Sequence, residues 1–293
     1  MPNTAPSIPT PRALRLRRGE IASTYDRHGY LVVPDVLGAD LLAAARAEAT
    51  AICRGERGAI EGASPTRAGD DDATVLARHL CVHFPHKVSP LMRDIARLPA
   101  VIDVLTEAIG PNVKLMQSML FIKAAGKPGQ AWRQDEAHIP TRDRSLTAVW
   151  IALDDATVDN GCIWIIPASH RSGVLYPVGN TIDARFDGTP SARGFPHRDG
   201  DAVAVELPAG SAVAFDGYLL HRSLPNTTSG MRRALVNHYM SAESLLPWSP
   251  PRDDETMATV DHRDILLVAG EDPHAAAGTA DLVRPRLRAM RPL

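Results

Sequence analysis

Hydrophobic positions divide the chain into two parts with different periodicities. Between residues 19 and 110, apolar residues recur at helical spacing, which predicts helices at 21–27, 39–53, 90–97 and 99–109 and one short strand at 30–33. After Val113, short apolar runs alternate with turn signals; the runs are LMQSMLFI, SLTAVWIAL, CIWIIP, AVAVEL, SAVAF and ALVNHYM. Such spacing predicts an antiparallel β-sandwich or barrel rather than alternating strand–helix units.

Two terminal segments depart from this pattern. Residues 1–18 are proline-rich and then basic, which predicts a disordered leader. Residues 247–293 are rich in proline and arginine, and we expect a peripheral C-terminal extension with one short helix near 261–268. The segment between them, 19–246, is predicted to be a single domain.

Composition narrows the class of protein. The chain has 293 residues, of which 44% are hydrophobic and 23% charged, as is typical of globular proteins. A net charge of −2 gives no electrostatic reason to expect nucleic acid or an anionic membrane as a partner. No apolar run approaches the length of a membrane-spanning helix, and the N-terminus lacks the apolar core of a secretion signal.

Cysteine usage favours a cytoplasmic protein with reduced thiols. Cys53, Cys81 and Cys162 are widely spaced and form no CxxC pair. An odd, scattered set argues against both a disulfide framework and a thiolate metal site. Histidines are therefore the natural candidates for metal ligands.

The first candidate site is the tetrapeptide Trp132-Arg133-Gln134-Asp135. On a strand, residues 133 and 135 project to the same face. A histidine at the first position and an aspartate at the second, completed by a distant histidine, would form the two-histidine, one-carboxylate site that holds Fe(II). Here Arg133 stands at the histidine position, and for the tetrapeptide taken alone an exposed aspartate at a strand end is the commoner explanation.

The second candidate site lies around His221 and Arg232. His221 follows the strand SAVAF and the turn Asp216-Gly217, and Arg232 begins the next strand. A histidine leaving one strand and an arginine entering its neighbour can face the same cavity. The planar guanidinium of Arg232 matches a carboxylate with two parallel hydrogen bonds. The alternative is that Arg232 and Arg233 are a solvated pair on an edge strand.

Taken together, the motifs WRQD, VWIALDDAT, NGC, PASH and HRSLPNTTSGMRRA resemble those of the phytanoyl-CoA dioxygenase family. The resemblance runs from about Gly19 to Ser241 and is most specific in 145–170. The family pattern has W-H-Q-D and P-G-S-H, so this chain departs from it at Arg133 and, mildly, at Ala168. The resemblance implies a double-stranded β-helix (jelly roll), mainly β with flanking helices. It also implies hydroxylation of a small organic or acyl substrate by O₂, with Fe(II) and 2-oxoglutarate as cofactors and succinate and CO₂ as products.

The resemblance assigns roles to individual residues. Asp135 and His221 are the implied catalytic residues and iron ligands. Arg232 is the implied clamp for the distal carboxylate of 2-oxoglutarate, with help from Ser223.

Four further residues match positions around the family's site. Met119, Trp150 and Lys87 correspond to residues that line the co-substrate pocket. The plain alternative is core packing for Met119 and Trp150, and a solvated surface charge for Lys87. His138 is either a polar side chain near the pocket mouth or a substitute ligand or substrate contact.

Arg133 decides whether the implied iron site is complete. A guanidinium has no electron pair to give a metal and stays protonated, so we expect an Arg133–Asp135 ion pair that diverts Asp135 from iron. Three hypotheses follow: a working oxygenase in which water or His138 fills the missing position; a pseudoenzyme that binds an acidic metabolite through Arg133 and Arg232; or an inactivated variant in which position 133 was histidine. Retention of the other site residues favours the oxygenase.

Two long polar segments are candidates for determining the substrate. Residues 54–74 and 180–200 contain glycines and are too long for simple turns. We expect both to cover the pocket.

Overall fold

Two antiparallel sheets face each other in the part of the protein that the computed structural model describes, residues 19–245 and 263–288. The strands are β1 (Tyr30–Val33), β2 (Cys81–His83), β3 (Val113–Lys123), β4 (Gln130–Arg133), β5 (Thr147–Ala152), β6 (Ile163–Ile165), β7 (Val178–Gly179), β8 (Ser191–Ala192), β9 (Val203–Val205), β10 (Ala212–Asp216), β11 (His221–Ser223), β12 (Arg232–Ser241), β13 (Leu266–Ala269) and β14 (Arg286–Leu287). The larger sheet has the order β1-β10-β5-β12-β3-β2-β14, with β13 also paired to β3. The smaller sheet has the order β4-β11-β6-β9, and β7 pairs with β8 separately. This arrangement is the predicted jelly roll.

Helices cover the outer face of the larger sheet. They are α1 (Glu20–His28), α2 (Ala39–Cys53), α3 (Asp72–Ala77), α4 (Pro90–Ile95) and α5 (Pro99–Ile109). The predicted helices are therefore confirmed to within two residues at each end, and α3, which was not predicted, begins inside the segment expected to be a loop. Within the described ranges, none of these helices is both long and apolar enough to cross a membrane.

Alternation along the central strands separates two hydrophobic cores. Leu120 of β3 and Leu235 of β12 pack outward in the core shared with the helices. Met119 and Val236, one position away, face the smaller sheet in a second core with Trp150. Because side chains on a strand alternate between faces, every second residue of β3 and β12 is directed between the sheets. A cavity lies between the sheets at this place.

The C-terminal segment is not peripheral where it is described. β13 pairs with β3, and β14 pairs with β2, with Arg286 opposite His83. The helix expected near 261–268 is also wrong, since Leu266–Ala269 is a strand. Backbone hydrogen bonds make these pairings, and a pattern of side chains rich in proline and arginine does not reveal them. The predicted leader, 1–18, lies outside the described residues.

Candidate functional site

A cavity of about 340 Å³ between the sheets brings most of the candidate residues together. Its lining includes Arg133, Asp135, His138, His221, Ser223, Arg232, Met119 and Trp150. These residues come from both sheets, so closure of the jelly roll is what assembles the site. The volume lies at the lower end of the range for pockets that bind small molecules.

Lys87 is the exception among the predicted site residues. It lies in a short 3-10 helix, and its ammonium group pairs with Asp264 and, at 3.0 Å, with Asp281. It does not line the cavity that holds the other candidates. Its assignment to the co-substrate pocket is therefore wrong, because the C-terminal segment supplies carboxylates that hold it elsewhere.

His221 directs the Nε2 atom of its ring at the cavity. Its Nδ1 lies 3.0 Å from the carbonyl oxygen of Leu219, which can only accept a hydrogen bond. Nδ1 therefore carries the proton, and Nε2 keeps the lone pair that a metal would use. Nε2 lies 3.4 Å from Oδ1 of Asp135. Burial raises the pKa of Asp135, but His221 and His238 outweigh burial and hold that pKa well below its usual value.

Arg133 is directed at the same two groups. It ends β4 opposite His221 of β11, and its Nε donates a hydrogen bond of 3.4 Å to Nε2 of His221. The same Nε lies 3.9 Å from Oδ1 of Asp135, and the guanidinium also bonds Gln130. The expected Arg133–Asp135 ion pair is thus present but long. It leaves Asp135 beside His221 rather than drawing it away.

His238 is a site residue that sequence reasoning missed. Its Nε2 lies 3.1 Å from Oδ2 of Asp135, closer to that carboxylate than either Arg133 or His221. Arg232, Ala234, Val236 and His238 alternate along β12, so the predicted inward position of Arg232 also placed His238 inward. That periodicity was the signal that could have found it.

Arg232 stands buried at one end of the cavity. It is 3% exposed, and its guanidinium carbon lies 5.2 Å from the ring centre of Trp150. Nη2 donates to the carbonyl oxygen of Gly161 at 2.9 Å, while Nε has no hydrogen-bond partner in the described part of the chain. Burial lowers the pKa of Arg232 to about 10, so the group stays charged at neutral pH. The solvated edge pair is therefore wrong: β12 is a central strand, and only Arg233 turns outward, to Asp154.

Lys123, which was also missed, adds a second cation at this end. It is 4% exposed, and its Nζ donates to Oγ of Ser223 at 2.9 Å and to the carbonyl oxygen of Leu224 at 2.6 Å. Burial and then Arg232 lower its pKa well below the usual value. Lys123 lies four residues after Met119 in β3, and residues an even number apart on a strand face the same side. The alternation of side chains therefore predicts that Lys123 faces the cavity, as Met119 does. Among the described residues, neither Lys123 nor Arg232 has a carboxylate within ion-pair distance, which makes this end suited to an anion.

The two segments expected to cover the pocket behave differently. Segment 180–200 contributes Asp187, Thr189 and Pro190 to the cavity wall. Segment 54–74 contributes no residue to it, because Glu61 instead forms backbone hydrogen bonds of 2.8 and 2.9 Å to the β14 region.

The donor set fits 2-oxoglutarate fully and iron in part. A dicarboxylate matches the buried cations Arg232 and Lys123. Asp135 and His221 supply two metal donors, and the described residues contain no cluster of three or more His, Cys, Asp or Glu side chains arranged around a metal position. A third ligand must therefore come from water or from movement of a side chain.

Comparison with known proteins identifies relatives over most of the described chain. A family model described as Phytanoyl-CoA dioxygenase (PhyH) matches residues 25–234. A phytanoyl-CoA dioxygenase of Arabidopsis thaliana is 32% identical over 182 residues, 60% of this chain and 62% of that protein. Phytanoyl-CoA dioxygenase domain-containing protein 1 of Danio rerio is 31% identical over 171 residues, 57% of this chain and 58% of that protein. The chain thus spans roughly three fifths of these curated relatives.

Solved structures share the fold at low sequence identity. The non-heme monooxygenase ThoJ, in its apo form, superposes with a TM-score of 0.66 at 22% identity, covering 92% of this chain and 87% of that one. The epimerase SnoN, in complex with Fe³⁺, alpha ketoglutarate and nogalamycin RO, gives a TM-score of 0.61 at 21% identity, covering 85% and 98%. At these identities the likeness concerns the fold.

Proposed function

Since the chain belongs to the phytanoyl-CoA dioxygenase family, we propose that it is an Fe(II)/2-oxoglutarate-dependent oxygenase that hydroxylates a small organic or acyl substrate. One observation carries the proposal: the Asp135–His221 pair and the buried Arg232 line the same cavity. Asp135 and His221 can donate electron pairs to a metal, and Arg232 can bind a carboxylate of the co-substrate. Three free, buried cysteines support the cytoplasmic location that the proposal includes.

The cationic end binds the co-substrate. Removing Arg232 and Lys123 from water is costly, and a bound carboxylate offsets this by supplying the missing negative charge. The unpartnered Nε of Arg232 is a donor for one carboxylate oxygen. The guanidinium carbon of Arg232 lies over the ring of Trp150 at 5.2 Å, a cation–π contact that stabilises its position in the cavity.

The opposite end holds the metal. Asp135 contributes an ionised carboxylate, and His221 contributes Nε2, whose lone pair is kept free by the Nδ1 hydrogen bond to Leu219. Arg133 would have to give up its hydrogen bond to His221 for Nε2 to serve as a metal ligand, and it could keep the one to Gln130. Bound iron supplies O₂ activation, and oxidation of 2-oxoglutarate yields succinate and CO₂. Apolar side chains of Ile163 and Phe215 limit water in the cavity.

A second candidate function is iron-free binding of an acidic metabolite. The observation that favours it is the hydrogen bond from Arg133 Nε to His221 Nε2, which uses the lone pair that iron requires. In this function Arg133 and Arg232 both serve as cationic anchors.

Metal content and product formation distinguish the two functions. The wild type, Arg133→His and Asp135→Ala are purified, loaded anaerobically with Fe(II), and then given 2-oxoglutarate and air. We expect the wild type to retain iron and form succinate, and Asp135→Ala to do neither. Iron and succinate in Arg133→His but not in the wild type, with 2-oxoglutarate bound to both, would establish the binding protein instead.

A further inference from the structure

Two arginines of the C-terminal segment line the cavity but have no role in the proposed binding of iron and 2-oxoglutarate. Arg286 in β14 and Arg288 just after it both line the cavity wall. Their backbone is fixed, because β14 pairs with β2 and the backbone nitrogen of Arg288 donates to the carbonyl oxygen of Cys81 at 3.0 Å. We call Arg286 and Arg288 the C-terminal arginine pair.

Each arginine of this pair has a guanidinium nitrogen that lacks a hydrogen-bond acceptor in the described residues. Arg288 donates a hydrogen bond to Thr189, and its Nη1 lies 3.5 Å from Oδ2 of Asp187 but donates no hydrogen bond within the described residues. Arg286 lies over the ring of Phe84 at 5.2 Å, and its buried Nη2 has no hydrogen-bond partner in the same part of the chain. A buried guanidinium nitrogen without a hydrogen-bond acceptor lowers the stability of the folded protein, unless a ligand supplies the acceptor.

The charges around the cavity do not cancel. Six cationic side chains line it, one of which, Arg222, pairs with Asp199 at 3.0 Å, and the only carboxylates among its described lining residues are Asp135 and Asp187. Asp135 is engaged by His221 and His238, and Asp187 also accepts hydrogen bonds from Gln130 and Thr189. The excess positive charge is therefore available to a ligand.

Burial, together with the nearby arginines, lowers the pKa of two neighbouring histidines. Burial and then Arg288 and Arg286 lower the pKa of His83 to about 3. Burial and then Arg133 lower the pKa of His138 to about 4. Both imidazoles are thus neutral at physiological pH, and the positive charge that a ligand meets belongs to the arginines.

We propose that the C-terminal arginine pair binds the acid group of the substrate, so that the substrate is a compact anion carrying a carboxylate or phosphate on an apolar body. Leu80, Ile122 and Leu287 line the same cavity and offer apolar contact for that body. A volume of about 340 Å³, shared with the co-substrate, favours a compact acid over one attached to a large carrier. This inference rests on the proposed function, in which Arg232 and Lys123 take 2-oxoglutarate.

Calorimetry with three probes of equal chain length tests the proposal. Hexanoate, hexyl phosphate and the neutral hexanamide are titrated into the full-length protein saturated with N-oxalylglycine, an unreactive analogue of 2-oxoglutarate. We expect at least one anionic probe to bind and hexanamide to bind far more weakly. A preference for hexyl phosphate over hexanoate identifies a phosphate ester, and the reverse preference identifies a carboxylic acid.

Charge-removing variants assign the site. Arg286→Gln and Arg288→Gln should each weaken the anionic probe by about tenfold, the loss expected for one charge-assisted hydrogen bond. Arg284→Gln is the matched control from the same segment; it pairs with Asp281, does not line the cavity, and should leave the affinity unchanged. If one variant does not fold, the other carries the test.

Two results would overturn the inference: equal binding of hexanamide and the anionic probes, or unchanged affinity in a folded arginine variant. Failure of the proposed function looks different. The wild type would then retain no Fe(II) and form no succinate, whereas the probes could still be titrated with or without N-oxalylglycine.

Discussion

The two ends of the cavity solve the problem of buried charge in opposite ways. At the proposed metal end, Asp135 has Arg133 at 3.9 Å and His238 at 3.1 Å as partners for its negative charge, with His221 beside it. At the co-substrate end, Arg232 and Lys123 donate only to neutral oxygens in the described structure. The charge at the first end is balanced by the protein itself, whereas the charge at the second end is balanced only when an anionic ligand binds. Substitutions should therefore affect metal binding at the first end and anion binding at the second.

The largest effect is expected from Arg232→Met. Removing the guanidinium removes the main charge for the distal carboxylate, and we expect 2-oxoglutarate affinity to fall by about a hundredfold, as for two charge-assisted hydrogen bonds. Calorimetry measures the loss. The adjacent Arg233→Met is the matched control: it breaks the 2.8 Å pair with Asp154 outside the cavity and should leave 2-oxoglutarate affinity intact. Equal losses in both variants would contradict the contrast between the two ends.

Arg133→His should raise iron affinity by about tenfold or more, because it exchanges a cation for a donor beside Asp135 and His221. Arg133→Ala separates the two contributions, since it removes the charge without adding a ligand. Anaerobic Fe(II) titration followed by metal analysis gives the affinities. An Arg133→His protein that binds iron no better than the wild type would show that residue 133 is not at the metal position.

Lys123→Met should weaken 2-oxoglutarate about tenfold and yet stabilise the ligand-free protein, by about 1 kcal/mol or more, because a buried unpaired charge is removed. Urea unfolding measures the stability, and calorimetry measures the affinity. A variant that loses stability and keeps its affinity would assign Lys123 a structural role.

The same lysine gives a pH dependence with a definite sign. Its pKa in the folded protein is lowered from 10.5, so between the lowered value and 10.5 the folded state binds fewer protons than the unfolded state. The free energy of unfolding of the ligand-free protein should therefore rise with pH across that window. Over the same window 2-oxoglutarate should bind less tightly and take up protons as it binds. Lys123→Met should abolish this contribution to both slopes.

The smallest effect is expected from Lys87→Ala. Its partners Asp264 and Asp281 belong to the C-terminal segment, outside the cavity. We expect unchanged 2-oxoglutarate binding and a slight decrease in melting temperature. A marked loss of 2-oxoglutarate affinity would restore Lys87 to the co-substrate site.

Motifs in the sequence mark the residues that were predicted correctly, whereas the residues that were missed are marked only by the alternation of side chains along a strand or by strand pairing. Asp135, His221 and Arg232 were predicted to meet, and they line one cavity. Lys123 and His238 lie in strict alternation with residues already placed inward, so the sequence contained their positions in β3 and β12.

Arg286 and Arg288 could not be predicted in the same way. Their place depends on the backbone pairing of β14 with β2, whose residues are far apart in the chain. Lys87 was misplaced for the same reason, because its carboxylate partners come from that distant segment.

Anaerobic addition of Fe(II) and 2-oxoglutarate to the wild-type protein tests the central claim most directly. Chelation of iron by the keto acid produces a visible charge-transfer absorbance. We predict that this band appears in the wild type, is lost in Asp135→Ala, and is lost in Arg232→Met at 2-oxoglutarate concentrations that saturate the wild type. A wild-type protein that binds 2-oxoglutarate without developing the band, while Arg133→His develops it, would contradict the account.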